Sequence, residues 1–146
     1  MLDFNDILNA FKEQEEHGLT ILSNQKFYYL RAELVKYLDE EFKFEDISSD
    51  DKILLDKVIQ IQRKPHIYLP NQNDFDEFKY ALDFLYTLNQ SSYDYLNSMI
   101  HDHGTFKHFK EGCLHLGIYD EWLKYKEDNL ALFLKTWCEK KGINYI

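Results

Sequence analysis

The stretch from Tyr119 to Lys141 constrains the fold most. At about 100° per residue, Trp122, Leu130, Phe133, Leu134 and Trp137 fall on one broad face of a helix. Lys124, Glu127, Asp128, Lys135 and Glu139 fall on the opposite face, and Gly142 stands where a C-terminal cap belongs. A long helix with one apolar side has to bury that side against other elements. The rest of the chain must therefore supply packing partners, and the first question is whether they are helices or strands.

Composition answers for helices. Only five Gly and two Pro occur in 146 residues, so long irregular stretches are not expected. Apolar residues make up 45% and aromatic residues 16%, enough for one core. Phe4, Ile7, Leu8 and Phe11 predict a first helix over Asp3 to Glu16, with Gly18 placed to end it. Leu19–Leu22 and Phe27–Leu30, on either side of a polar turn at Ser23–Lys26, predict a β-hairpin. Arg31 to Phe42 is ambiguous, with Leu34, Tyr37 and Leu38 favouring helix.

Further along, Ser48-Ser49-Asp50-Asp51 fits a capping box before a helix carrying Ile53, Leu54, Leu55, Val58 and Ile59. Pro65 closes that helix, and His66–Pro70 reads as an extended linker. Asp74–Glu77 caps a helix carrying Phe75, Phe78, Leu82 and Leu85. Ser91–Asp94 opens the next, with Leu96 and Ile100, and Gly104 and Gly117 flank a short helix with Phe106, Phe109 and Cys113. The expected fold is mainly α: a compact domain of about six helices with a small N-terminal β-hairpin. It is expected to form a single domain over 1–146, a helix plus hairpin in 1–47 and a helical body in 48–146.

The net charge of −9 repels nucleic acid and anionic membranes unless it is segregated. It is partly so. Asp39 to Asp51 is the densest acidic run, whereas His101–Leu116 sets Lys107, Lys110 and four His against Asp102 and Glu111. Cys113 and Cys138 do not make a disulfide framework and read as free buried thiols. There is no apolar run of membrane-spanning length and no basic region before an apolar block at the N-terminus, so a cytoplasmic location without membrane contact is expected.

One pattern joins several of these elements: Tyr68-Leu69-Pro70, then Asp76 and Phe78, then Gly104, Phe106, Phe109 and Lys110, then Trp122, Trp137, Gly142 and Ile143. It resembles a bacterial protein family of unknown function, marked by a Gly-x-Phe-x-x-Phe-Lys element, a Trp-containing segment and a terminal Trp-x-x-x-x-Gly-Ile. The resemblance covers about half the chain. Members of that family usually carry two Arg where this chain has Lys107 and His108. The resemblance implies no activity, ligand or catalytic residue.

Four groups of residues are candidates for chemistry. His101, His103, His108, Cys113 and His115 are of metal-ligating types. His101 and His103 stand at i,i+2, however, and do not share a helix face. Thr105, as a helix N-cap, would leave the amides of 106–108 free, with Lys107, His108 and Lys110 adding charge for a phosphate, a nucleic acid or a partner carboxylate. Asp39, Glu40, Glu41, Glu45, Asp46, Asp50 and Asp51, interleaved with Phe42 and Phe44, would suit a basic partner. Asp74, Asp76, Glu77, Asp120 and Glu121 sit where helices start, which is where capping carboxylates belong. Nucleophile elbows, P-loops and dinucleotide fingerprints are absent from the sequence. More tyrosines occur than a core pattern buries, Tyr28, Tyr29, Tyr93 and Tyr95 among them. The expectation is a non-enzymatic cytosolic binding protein without cofactor, acting on a protein partner as an inhibitor, immunity or regulatory type. Nucleic-acid or phosphate binding at Thr105–Lys110, and a metal enzyme built on His101–His115, are the alternatives.

Overall fold

A computed structural model describes residues 1–39, 47–103 and 106–146, except for the side chains of Asp102 and His103. The fold is mainly α, with seven α-helices and a small three-stranded sheet among the described residues. Two compact units are distinct: Met1–Phe75 with Cys138–Ile146, and Asp76–Trp137. The helix after Ser48 belongs to the first unit.

In the first unit, α1 (Phe4–Lys12) starts at Asp3, whose carboxylate accepts from the Asn5 amide at 2.9 Å. It stops at Lys12, short of the expected Glu16. Glu13, Glu15 and Glu16 would crowd the negative end of the helix dipole. The carbonyls there are taken by a distant side chain: Gln72 Nε2 donates to Gln14 O at 2.7 Å and Lys12 O at 3.1 Å. Gln14 is itself buried and donates to Pro70 O at 2.9 Å. Gly18 is therefore not the cap of α1. It makes room for Tyr29, whose hydroxyl would lie 2.5 Å from a Cβ at that position and accepts from the Glu15 amide at 2.9 Å.

The hairpin forms as the residue types direct. β1 (Leu19–Ser23) and β2 (Lys26–Leu30) pair antiparallel from Leu19↔Leu30 to Ser23↔Lys26. Asn24 and Gln25 have φ of 50° and 61°, which makes a two-residue type I′ turn that follows the twist of the strands. The supposed linker at His66–Pro70 is a third strand, β3 (Ile67–Tyr68), on the other edge of β1. Thr20 to Ser23 are all buried, so the backbone of β1 needs partners on both edges. Leu22↔Ile67, Ile21↔Tyr68 and a Leu69 N–H to Thr20 O bond at 3.0 Å supply the second set.

The ambiguous stretch after Arg31 resolves into α2 (Ala32–Val35) and a 3-10 turn at Lys36–Leu38. α3 (Ser49–Gln62) begins at Ser48, whose hydroxyl accepts from the Asp51 amide at 3.2 Å. The Asp51 carboxylate goes to Arg31 in a two-pronged pair of 2.9 and 2.6 Å, which ties the end of β2 to the start of α3. Leu55, Val58 and Ile61 of α3 close a core with Ile21, Leu30 and Leu34. The C-terminal residues return beside the N-terminal ones, with Leu2 paired to Tyr145 and the Ile146 amide donating to Leu2 O at 2.8 Å.

The second unit is helical. α4 (Glu77–Leu85) is capped by Asp76, and Asp74 instead completes a capping box with Asn71 around a 3-10 turn. α5 (Gln90–His103) starts from Asn89, not Ser91: the Asn89 side chain accepts from the Ser92 amide at 2.8 Å. α6 (Phe106–His115) and α7 (Tyr119–Lys141) follow. Ala81, Phe84, Leu85, Leu96, Ile100, Phe109, Cys113 and Trp122 form the core. Phe78 is 41% exposed, so the buried face of α4 is turned toward Ala81 and Phe84 from the expected one. Trp122 is fully buried, with Phe109 edge-on at 5.0 Å and Phe84 at 5.6 Å. Trp137, expected in the same core, is half-buried.

α6 and α7 end in the same way, on Cys-x-x-x-Gly-Ile. Gly117 and Gly142 take φ of 72° and 68°. The Ile118 amide bonds Cys113 O and the Ile143 amide bonds Cys138 O, both at 2.9 Å. The Gly amides bond Leu114 O at 3.1 Å and Glu139 O at 3.2 Å, completing two Schellman motifs.

Candidate functional site

Of the acidic candidates, Glu40, Glu41, Glu45 and Asp46, with Phe42 and Phe44, lie outside the described residues, and so do Gly104 and Thr105, where the N-cap was expected. Asp39 is exposed at the end of the 3-10 turn, Asp50 is exposed in the first turn of α3, and Asp51 is held by Arg31. The guanidinium hydrogen bonds hold the Asp51 carboxyl below the usual range, and the Ser48 hydroxyl adds to this.

The basic strip on α6 is internally engaged. Lys107 is exposed and reaches Glu111 across one turn at 3.9 Å. Lys110 is half-buried with Nζ 4.6 Å from the centre of the Phe106 ring, and His108 is half-buried on the same helix. Phe106 in turn stacks on Phe109 at 5.6 Å and meets the exposed Phe78 edge-on at 6.3 Å. Phe106 and Phe109 thus anchor α6 as the apolar spacing predicts.

The histidines are dispersed. His101 is exposed, His115 stacks on Tyr95 at 5.5 Å, and the His103 side chain lies outside the described residues. Among the described residues no three His, Cys, Asp or Glu side chains gather as a metal site would require. Cys113 is fully buried, and desolvation pushes its thiol up to about 12. Burial likewise raises Cys138. Neither sulfur has the thiolate character that nucleophilic or metal chemistry needs. Two of the helix-start carboxylates cap or pair: Asp76 accepts from the Lys79 amide at 3.2 Å, and Glu77 meets Lys126 at 3.0 Å.

A tyrosine surface at the α4–α5 corner stands out. Tyr86, the residue that ends α4, is 78% exposed. Its ring lies 5.6 Å from that of Tyr93, and the neighbouring Tyr86 hydroxyl, with burial and the Asp94 charge, raises the Tyr93 phenol. Asp94 accepts from Gln90 at 2.7 Å, which fixes it beside the pair. Burial, and then the charge of the exposed Asp83 on α4, raise the Tyr125 phenol, and Lys79 lies 5.8 Å from the Tyr80 ring. Tyr28, Tyr29, Tyr93 and Tyr95 are all half-buried, and Tyr86 is the most exposed large apolar residue within the second unit.

No protein-family model, curated protein or solved structure matches the chain. The functional reading therefore rests on the chain's own residues. Among those described, no helix is long and apolar enough to cross a membrane.

Sequence reasoning named Tyr93 but missed Tyr86. The signal was available: Tyr86 lies one position past Leu85, where α4 ends and the chain turns outward. Asp94 was equally visible, but only the turn between α4 and α5 brings Tyr86 to Tyr93.

Proposed function

We propose that the chain is a non-enzymatic binding protein of inhibitor, immunity or regulatory type, and that its target is another protein. The Tyr86–Tyr93 pair carries this reading. Tyrosine offers a rigid apolar body and a hydroxyl at low entropic cost, so it is favoured at the centres of protein interfaces. A ring left 78% in water and braced by a second ring is already ordered for contact. Asp94 beside the rings, on a chain of net charge −9, favours a target with an exposed basic surface. The proposed location is the cytosol, where free buried thiols such as Cys113 and Cys138 are ordinary.

The test is affinity capture with the tagged chain, with and without nuclease, read by mass spectrometry alongside a Tyr86→Ala variant of unchanged circular dichroism. The expected result is one protein recovered in both treatments and lost from Tyr86→Ala. Recovery that disappears with nuclease would favour nucleic acid at Lys107, His108 and Lys110 and would end this reading. Recovery equal for wild type and variant would remove the interface from the α4–α5 corner.

A further inference from the structure

A second feature lies in the first unit, apart from the tyrosine surface. Beside the hairpin turn, where the C-terminal residues return, is a cavity of about 600 Å³. That falls inside the range of roughly 300–1,000 Å³ typical of small-molecule sites. Leu22, Ile67 and Ile143 give it apolar walls, while Gln25, His66 and Asn144 bring polar groups to it. Ser23, which also lines it, is spent on the fold, since its hydroxyl donates to Pro65 O at 3.0 Å.

The charge pattern of the lining is unusual for this chain. The sequence holds 26 Asp and Glu, yet none stands among the described residues that line the cavity. His66 is the one titratable side chain there. Its orientation is fixed from two sides. Nδ1 lies 2.7 Å from Lys64 O and donates to it, and the ring meets Tyr68 edge-on at 5.1 Å. With Nδ1–H committed, Nε2 remains the ring's group for a ligand; it accepts when neutral and donates when the ring is protonated.

A cationic ligand would find no counter-charge in such a lining, and burying an unpaired charge is costly. An anionic head group would find Nε2 of His66, a donor whenever the ring is protonated, and the amide donors of Gln25 and Asn144, with apolar surface for the remainder. We propose that this cavity binds a small monocarboxylic acid with an apolar body, its carboxylate at His66.

The full chain, labelled with ¹⁵N, would be titrated separately with phenylacetate and phenylacetamide. Saturable shifts at the Leu22, Ile67 and Ile143 amides are expected for the acid. It should bind roughly tenfold or more tighter than the amide, the scale of one charge-assisted hydrogen bond. In His66→Ala, and in His66→Gln as a second variant, the acid should fall to the affinity of the amide while the spectrum stays folded. The proposal is overturned if the acid gives no saturable shifts at these residues. Equal affinities for acid and amide in the wild type, or an unchanged preference in both variants, would overturn it as well.

Discussion

Gly112 lies inside α6, where glycine is a poor helix residue, and replacing it with alanine tests how closely α5 and α6 pack. On an exposed helix the change to alanine would stabilise by about 1 kcal/mol. Here a Cβ would lie 2.6 Å from Leu96 Cδ2 and 3.4 Å from Tyr95 Cε1. Carbon atoms in comfortable contact are about 3.5–4.0 Å apart, so one of them has to move by about 1 Å. Leu96 is fully buried in the core with Phe109 and Trp122, and such interiors are close-packed. Overpacking of this kind costs about 1–3 kcal/mol, which exceeds the gain in helix propensity. Gly112→Ala should therefore lower the unfolding free energy by up to about 2 kcal/mol, measured by urea denaturation. The diagnostic experiment is a double-mutant cycle. Leu96→Ala alone should cost about 2–5 kcal/mol. In its presence the new methyl enters the space Leu96 leaves, so the double variant should be more stable than the sum of the two by about 1 kcal/mol or more. An additive cycle, or a Gly112→Ala protein more stable than the wild type, would refute the close approach of α5 and α6.

Two other measurements bear on the first unit. The Asp51 carboxyl is held low by Arg31, so its contribution to stability is complete above the ordinary carboxylate value of about 4 and is lost as the pH falls through the depressed folded value. The urea midpoint should fall with acidification in that window and fall less steeply in Asp51→Asn; parallel curves would show that the pair is not formed. Gln25 holds φ of 61° at the second turn position, a conformation that costs a non-glycine residue about 1–2 kcal/mol. Gln25→Gly should raise the thermal midpoint by several degrees, and a lowered one would refute the type I′ turn.

Much of the fold follows from local pattern. α7 has the bounds that its apolar face and Gly142 imply, because a residue that relieves left-handed strain and a period of 3.6 both act within a few residues. The hairpin, the Ser48 cap and a cap within Asp74–Glu77 were readable for the same reason. The errors occur where a distant residue intervenes. α1 ends at Lys12 because Gln72 takes its last carbonyls, and no window around residue 12 contains Gln72. His66–Pro70 becomes a strand because the buried edge of β1 needs a partner, a demand set by packing rather than by the sequence of the segment. α3 packs on the sheet for a related reason, since its own sequence shows an apolar face but not what that face covers.

The candidate sites divide along the same line. Lys107, His108 and Lys110 were visible as a basic strip, but contacts with Glu111 and the Phe106 ring are set by helix geometry and side-chain packing. Tyr86 and Tyr93, and the acid-free lining around His66, are assembled from segments that sequence order keeps apart. What the sequence alone determined is residue chemistry and local conformation: a mainly α chain, its principal caps, two buried thiols and a surplus of tyrosine. Which of those residues meet was decided by tertiary structure, because burial of apolar surface depends on area rather than order along the chain and brings polar groups together as a consequence.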